Sequence, residues 1–280
     1  IVDFTNAAQP SILYQHDSDF HAGPGGAALK DGYLYAAGFW PGDPEGLSVY
    51  NVATPSSPQL VTRVGSQGGY EIARQGNLLF LLRSLSVLVI FDVTNPASPQ
   101  ELATLTLPAV AQRIVPVGQQ YVLLSAFASN PDPGWQLIDV SDPRHPTVSD
   151  RYDPLIPGAD VLAVHGGYAF AVPSNQLLSF DLSDWFYPKM VGAIPFNDVD
   201  YNHGNRIDAI GFWNGYMVAS GAGVNVFDIS DPVRPILAAY HMHGNQRQFR
   251  IEGGMAVTSD GIVLAYYQNQ GLSILALSVQ

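Results

Sequence analysis

Five of the seven histidines fall in three stretches of the chain: His16 with His21, His203, and His241 with His243. Asp17, Asp19, Asp198 and Asp200 accompany them. Imidazole nitrogens and carboxylate oxygens together suit Zn²⁺, Cu²⁺, Mn²⁺ or Fe²⁺. The chain has no cysteine, so thiolate ligation, Fe–S clusters and thiol nucleophiles are excluded. The candidate ligands are therefore His16, His21, Asp198, Asp200, His203, His241 and His243. The same residues also read as a polar rim of loop histidines bonded to neighbouring backbone. Asp198, Asp200 and Asn202 alternate like the oxygen ligands of a calcium loop, which adds Ca²⁺ to the candidate metals. Gly204 stands one place late for an EF-hand turn, and Ala209 occupies the place of its bidentate Glu.

A second constellation is built from cations and aromatics. Arg74, Arg113, Arg206 and Arg250 stand at or near the starts of apolar segments, where they could hold an anion. They could equally pair with Glu71, Asp160, Asp208 and Glu252. Phe39, Trp40, Trp135 and Tyr201 flank irregular stretches and are candidates for a protein or carbohydrate contact. From these two groups the binding residues expected are Trp40, Trp135, Tyr201, Arg206 and Arg250. Reaction motifs are absent: no G-x-S-x-G elbow, P-loop, H-E-x-x-H or dinucleotide fingerprint occurs. The sequence thus favours binding over catalysis.

The elements that must position these residues are organised by a repeat. LSVYNVATPSSP, LVIFDVTNPASP, WQLIDVSDPRHP, LLSFDLSDWFYP and VNVFDISDPVRP share one phrase: an apolar strand, an Asp or Asn, then two prolines. IVDFTNAAQP at the start is a shortened version, and LSILALSVQ near the end repeats only its strand. The aligned polar positions Asp3, Asn51, Asp92, Asp139, Asp181 and Asp228 are spaced 48, 41, 47, 42 and 47 residues apart. Between the phrases lie six alternating hairpins whose turns contain Gly32, Gly76, Gly118, Gly166, Gly215 and Gly261. A short strand after the second proline completes each unit. The Asp is expected to accept backbone N–H bonds in the turn that follows it. Four strands per repeat of about 40–50 residues indicate a β-propeller. The expected fold is all-β: six four-stranded antiparallel blades in a single domain over residues 1–280, closed by pairing N- and C-terminal strands. Tyr33, Tyr121, Tyr168 and Tyr216 recur after the Gly turns and are expected in the core between blades.

Composition bounds the partners. Twelve basic and 24 acidic residues leave a net charge of −12, which repels phosphate backbones and argues against nucleic-acid binding. Only two lysines occur, Lys30 and Lys189, so there is no polybasic membrane patch. No apolar run approaches the roughly 20 residues that span a bilayer. The chain opens Ile1-Val2-Asp3 inside a strand phrase, which suggests a processed terminus and an anchor or signal removed before it.

The phrases LVIFDVTNPASP, QLIDVSDPRHP and VNVFDISDPVRP, each following a Gly-turn hairpin, resemble LVIVD repeats. Leu88-Val89-Ile90-Phe91-Asp92 is nearly the namesake pentapeptide. The departures are Asn51 for the Asp, Trp185 for the first proline and Ala276 in the last strand. The resemblance implies a prokaryotic propeller of the cell surface or periplasm, often anchored, in a family without a common reaction. The reading that results is a non-enzymatic accessory subunit contacting a protein partner through its long loops. A metal-dependent enzyme or metal-binding protein using the histidines, and a carbohydrate-binding propeller, are the alternatives.

Overall fold

The computed structural model describes residues 1–3, 5–6, 9–14, 26–37, 46–65, 69–125, 134–151, 161–173, 176–195, 209–220, 223–242, 255–267 and 271–277. Among the described residues there are strands and turns but no helix, as the alternating hydrophobicity and frequent glycine and proline require.

A two-residue pair opens the chain, β1 (Val2–Asp3) with β2 (Ser11–Ile12). Sheet I follows with β3 (Ala27–Lys30), β4 (Tyr33–Ala37), β5 (Leu47–Asn51) and β6 (Gln59–Val64). Sheet II holds β7 (Gly69–Gln75), β8 (Leu78–Arg83), β9 (Val87–Asp92) and β10 (Gln100–Thr106). Sheet III holds β11 (Arg113–Val117), β12 (Tyr121–Ser125), β13 (Trp135–Asp139) and β14 (Thr147–Arg151). Sheet IV is β15 (Val161–His165), β16 (Tyr168–Val172), β17 (Gln176–Asp181) and β18 (Lys189–Pro195). Sheet V is β19 (Ala209–Trp213), β20 (Tyr216–Ser220), β21 (Gly223–Asp228) and β22 (Ile236–Met242). Sheet VI has three described strands, β23 (Met255–Val257), β24 (Ile262–Tyr267) and β25 (Gly271–Ala276). Strands follow one another in order across every sheet, and the pairings described are antiparallel. The pairing expected between N- and C-terminal strands is not among them: β1 pairs with β2.

The repeat phrase has a defined hydrogen-bond chemistry. Its Asp or Asn side chain accepts the N–H two residues on, at Asp3, Asn51, Asp92, Asp139, Asp181 and Asp228. The N–H of the following residue reaches back to the hairpin turn, as in Val52 to Gly32 O, Leu182 to Gly167 O and Ile229 to Gly215 O. Asp31 and Gly32, with φ of 48° and 76°, form the turn with two positive φ angles that matches strand twist. The Asp phrase and the hairpin turn are thus tied together at one end of each sheet.

The chain divides into two compact units: residues 1–124 with 136–151, and residues 125–135 with 152–280. In the first, the leading strands β3, β7 and β11 pack in succession, and the core joins Tyr35, Leu47, Val49, Leu79, Val89 and Phe91. In the second, β15, β19 and β23 pack in succession, and a core joins Phe170, Leu177, Met217 and Phe227. Leading strands side by side are how propeller blades meet. Tyr33 and Tyr168 pack against these cores, as their periodicity requires.

Candidate functional site

The described residues that come closest to a functional cluster lie in the first unit, where β7 meets β11. Glu71 on β7 and Arg113 at the head of β11 are 3.8 Å apart, their side chains only 16% and 15% exposed. That separation exceeds a hydrogen-bonded ion pair. Burial pushes the Glu71 carboxyl up to about 7, against the opposing pull of Arg113 and of a hydrogen bond from the Ile114 N–H. A carboxyl titrating near 7 can give or take a proton at neutral pH. Gln112, 2% exposed, precedes Arg113, and its Oε1 has no hydrogen-bond partner among the described residues.

The backbone that carries Gln112 and Arg113 is held from two sides. Leu107 N–H donates to Ser86 O and Ala111 N–H to Leu85 O, while Gln136 Nε2 donates to Ala109 O at 3.1 Å. Leu85 takes φ of 61° in the turn between β8 and β9, a left-handed conformation that a Cβ disfavours. Its carbonyl is one anchor of the 107–112 segment.

Of the arginines expected to face an anion, Arg113 has Glu71 as its neighbour. Arg74 donates Nε to Leu29 O and Nη1 to Gly76 O, which makes it a brace for two turns. Arg113 thus follows the structural alternative of an acidic neighbour, whereas Arg74 bonds backbone carbonyls instead. Arg206 and Arg250 lie outside the described residues.

Trp135 corrects the expected contact surface. It is fully buried and packs edge-on against Phe180, ring centroids 4.8 Å apart. It occupies the repeat position of Leu47, Leu88, Leu177 and Val224, all of them buried. That alignment is the available signal, outweighed by the Gly and Pro stretch before it. Trp40 and Tyr201 lie outside the described residues, as do His16, His21, Asp198, Asp200, His203 and His243. The backbone of His241 lies within β22, opposite Val224. Among the described residues no three His, Asp or Glu side chains form a cluster fit for a metal. His145 Nδ1 lies 2.8 Å from an Asp142 carboxylate oxygen, and the His165 ring stacks on Phe212 with centroids 4.6 Å apart.

No described helix is long and apolar enough to cross a membrane. The LVIVD repeat profile matches residues 72–106, 132–154, 158–194 and 214–242. No curated protein matches the sequence. Solved structures share the fold at low identity. A Bacteroides fragilis protein provisionally named a 6-phosphogluconolactonase is 10% identical, with TM-score 0.64 over 90% of this chain and 78% of that one. A Lactobacillus plantarum protein is 15% identical, with TM-score 0.63 over 90% and 80%. Hsv2 of Kluyveromyces lactis is 12% identical, with TM-score 0.60 over 89% and 72%. These similarities establish a propeller fold and nothing of chemistry. In these four segments the chain carries LVIVD repeats.

Proposed function

We propose that the chain is a six-bladed propeller over residues 1–280, closed through its two ends, and that it serves as a non-enzymatic binding module. It works at the cell surface or in the periplasm as an accessory subunit, gripping a protein partner through its irregular loops. The supporting observation is the contrast between the two ends of the sheets. At one end, the third and fourth strands of sheets I to V are joined by seven residues each. At the other end, the connections within and between sheets I to VI run from 2 to 13 residues. Length variation on a fixed scaffold marks a surface shaped for recognition. It also argues against a carbohydrate-binding propeller with equivalent sites between blades.

The test is site-directed photo-crosslinking in the native cell. Reactive residues at position 40 or 201 are expected to capture one protein of defined mass, whereas those at Ser57 or Ser98 in the short turns are not. Capture confined to the short turns, or a purified monomer that turns over a small substrate, would overturn the reading.

A further inference from the structure

The outer strands of the sheets differ in how they discourage pairing. Among the described residues β6, β10, β14, β18 and β22 each lie at the end of their sheet with one side unpaired. The N–H and C=O groups on such a side are a template for another chain, and charged side chains or proline on the strand oppose its use. Arg63 stands on β6, Glu101 on β10, Asp150 and Arg151 on β14, and Lys189 with Pro195 on β18. β22 has no Asp, Glu, Lys, Arg or proline over its seven residues, ILAAYHM. A register shift against the third strand does not set β22 apart, because all five outer strands carry one.

The unprotected strand is also apolar on its exposed residues. Ile236, Leu237, Ala238 and Ala239 are exposed in succession, Ile236 to 63% and Leu237 to 44%. The apolar surface continues onto sheet IV, within the same compact unit. Ser179 Oγ donates to Pro232 O, and a Cβ on Gly192 of β18 would come within 2.8 Å of Val233 O. The turn that leads into β22 therefore lies against β18, and both Val233 in that turn and Met190 on β18 are exposed.

We propose that β22 is a self-association edge, on which two copies of the chain join their sheets V by antiparallel pairing of β22 with β22 about a twofold axis at Ala239. Charge selects a second copy as the occupant. Any approach of two copies sets a net charge of −12 against its equal. Close pairing is favourable only along a stretch that brings no like charges together. The nearest residue of fixed charge before β22 is Arg234, five places from Ala239. The twofold holds the two arginines roughly 33 Å apart at about 3.3 Å per residue. That is several Debye lengths at physiological salt. Ile236 then stands opposite Met242 of the second copy, and Leu237 opposite His241. Main-chain hydrogen bonds supply the join, and the apolar residues of the edge leave water. The contact is isologous, so it closes at two copies and starts no filament. It is separate from the long loops and does not depend on the loop partner proposed above.

The test is analytical ultracentrifugation of the purified full chain over a wide range of concentration. A reversible monomer–dimer equilibrium is expected. Its dimer fraction should rise with added NaCl, because salt screens the net repulsion and leaves apolar burial and backbone pairing intact. Leu237→Lys and Ala239→Lys, each checked for folding by circular dichroism, should abolish the dimer. Leu60→Lys is the matched control. Leu60 precedes the Asn51 pair on β6 as Leu237 does the Asp228 pair on β22, and it is 43% exposed. That variant should dimerise like the parent. A chain that is monomeric at every concentration would overturn the proposal, as would a dimer that survives both folded lysine variants on β22. A dimer dissolved by salt, or assemblies that grow beyond two copies, would overturn the charge argument and the closed twofold respectively.

Discussion

The two ends of the sheets obey different rules. At one end sheets I to V share a hydrogen-bond pattern: an Asp or Asn accepts the N–H two residues on, and the next N–H returns to a hairpin turn. Even the first proline of the phrase has a task, since Pro96 O accepts from Tyr35 and Pro232 O from Ser179 on the neighbouring sheet. At the other end the described residues share no common bond. Leu85 is held in a left-handed conformation, Glu71 is buried 3.8 Å from Arg113, and among the described residues Gln112 is buried with an unbonded acceptor. A repeat is regular where the chain must turn in the same way each time. Left-handed residues occur at both ends, Asp31 and Asn214 in hairpin turns and Ser84 and Leu85 between β8 and β9, so the contrast lies in the bonding pattern.

Four substitutions separate these regions. Trp135→Ala should have the largest effect, a loss of about 3–5 kcal/mol in urea denaturation, because it empties a core position. A contact residue on the surface would cost almost nothing. Glu71→Gln sharpens the contrast through pH. The folded carboxyl keeps its proton up to about pH 7, whereas the ordinary value is 4.5. Its contribution to stability is complete below 4.5, declines as the unfolded carboxyl ionises, and is lost as pH rises through 7. The variant should match the parent at pH 4 and exceed it at pH 8 by on the order of 3 kcal/mol. Equal stability at both pH values would mean that Glu71 is solvated. Asp228→Ala, at the regular end, should cost about 1 kcal/mol through the lost turn bond to Ser230 N–H. Hydrogen bonds from Ser230 hold the Asp228 carboxyl below its usual value, so that cost should fade as the medium is acidified below about pH 4. Leu85→Gly should change stability least and in the opposite sense, a gain of up to about 1 kcal/mol from relieved backbone strain, read as a raised Tm.

The regular end is legible in the sequence because its chemistry is local. Asp, Pro and Gly at fixed offsets specify a turn without reference to the rest of the chain, and the structure places the bonds at those offsets. The β1–β2 register follows from the same phrase, IVDFTNAAQP. The irregular end is harder to read because its properties depend on neighbours far along the chain. Glu71 in EIARQG carries no local sign of burial, and its surroundings are set by β11, some 40 residues on. Trp135 receives two opposed local signals: the neighbouring Gly and Pro stretch speaks for exposure, the repeat alignment for the core, and the core prevails. The histidine constellation belongs to stretches outside the described residues, apart from the His241 backbone.

The most direct test of a structural end and a binding end is a crossed comparison. Asp139→Ala and Asp228→Ala are set against Trp40→Ala and Tyr201→Ala, with urea stability and partner crosslinking measured on all four. The account predicts that the aspartate variants lose about 1 kcal/mol each and retain the crosslinked partner. It predicts that the aromatic variants keep their stability and lose the partner. The reverse pattern, with the partner lost in the aspartate variants at unchanged stability, would contradict it.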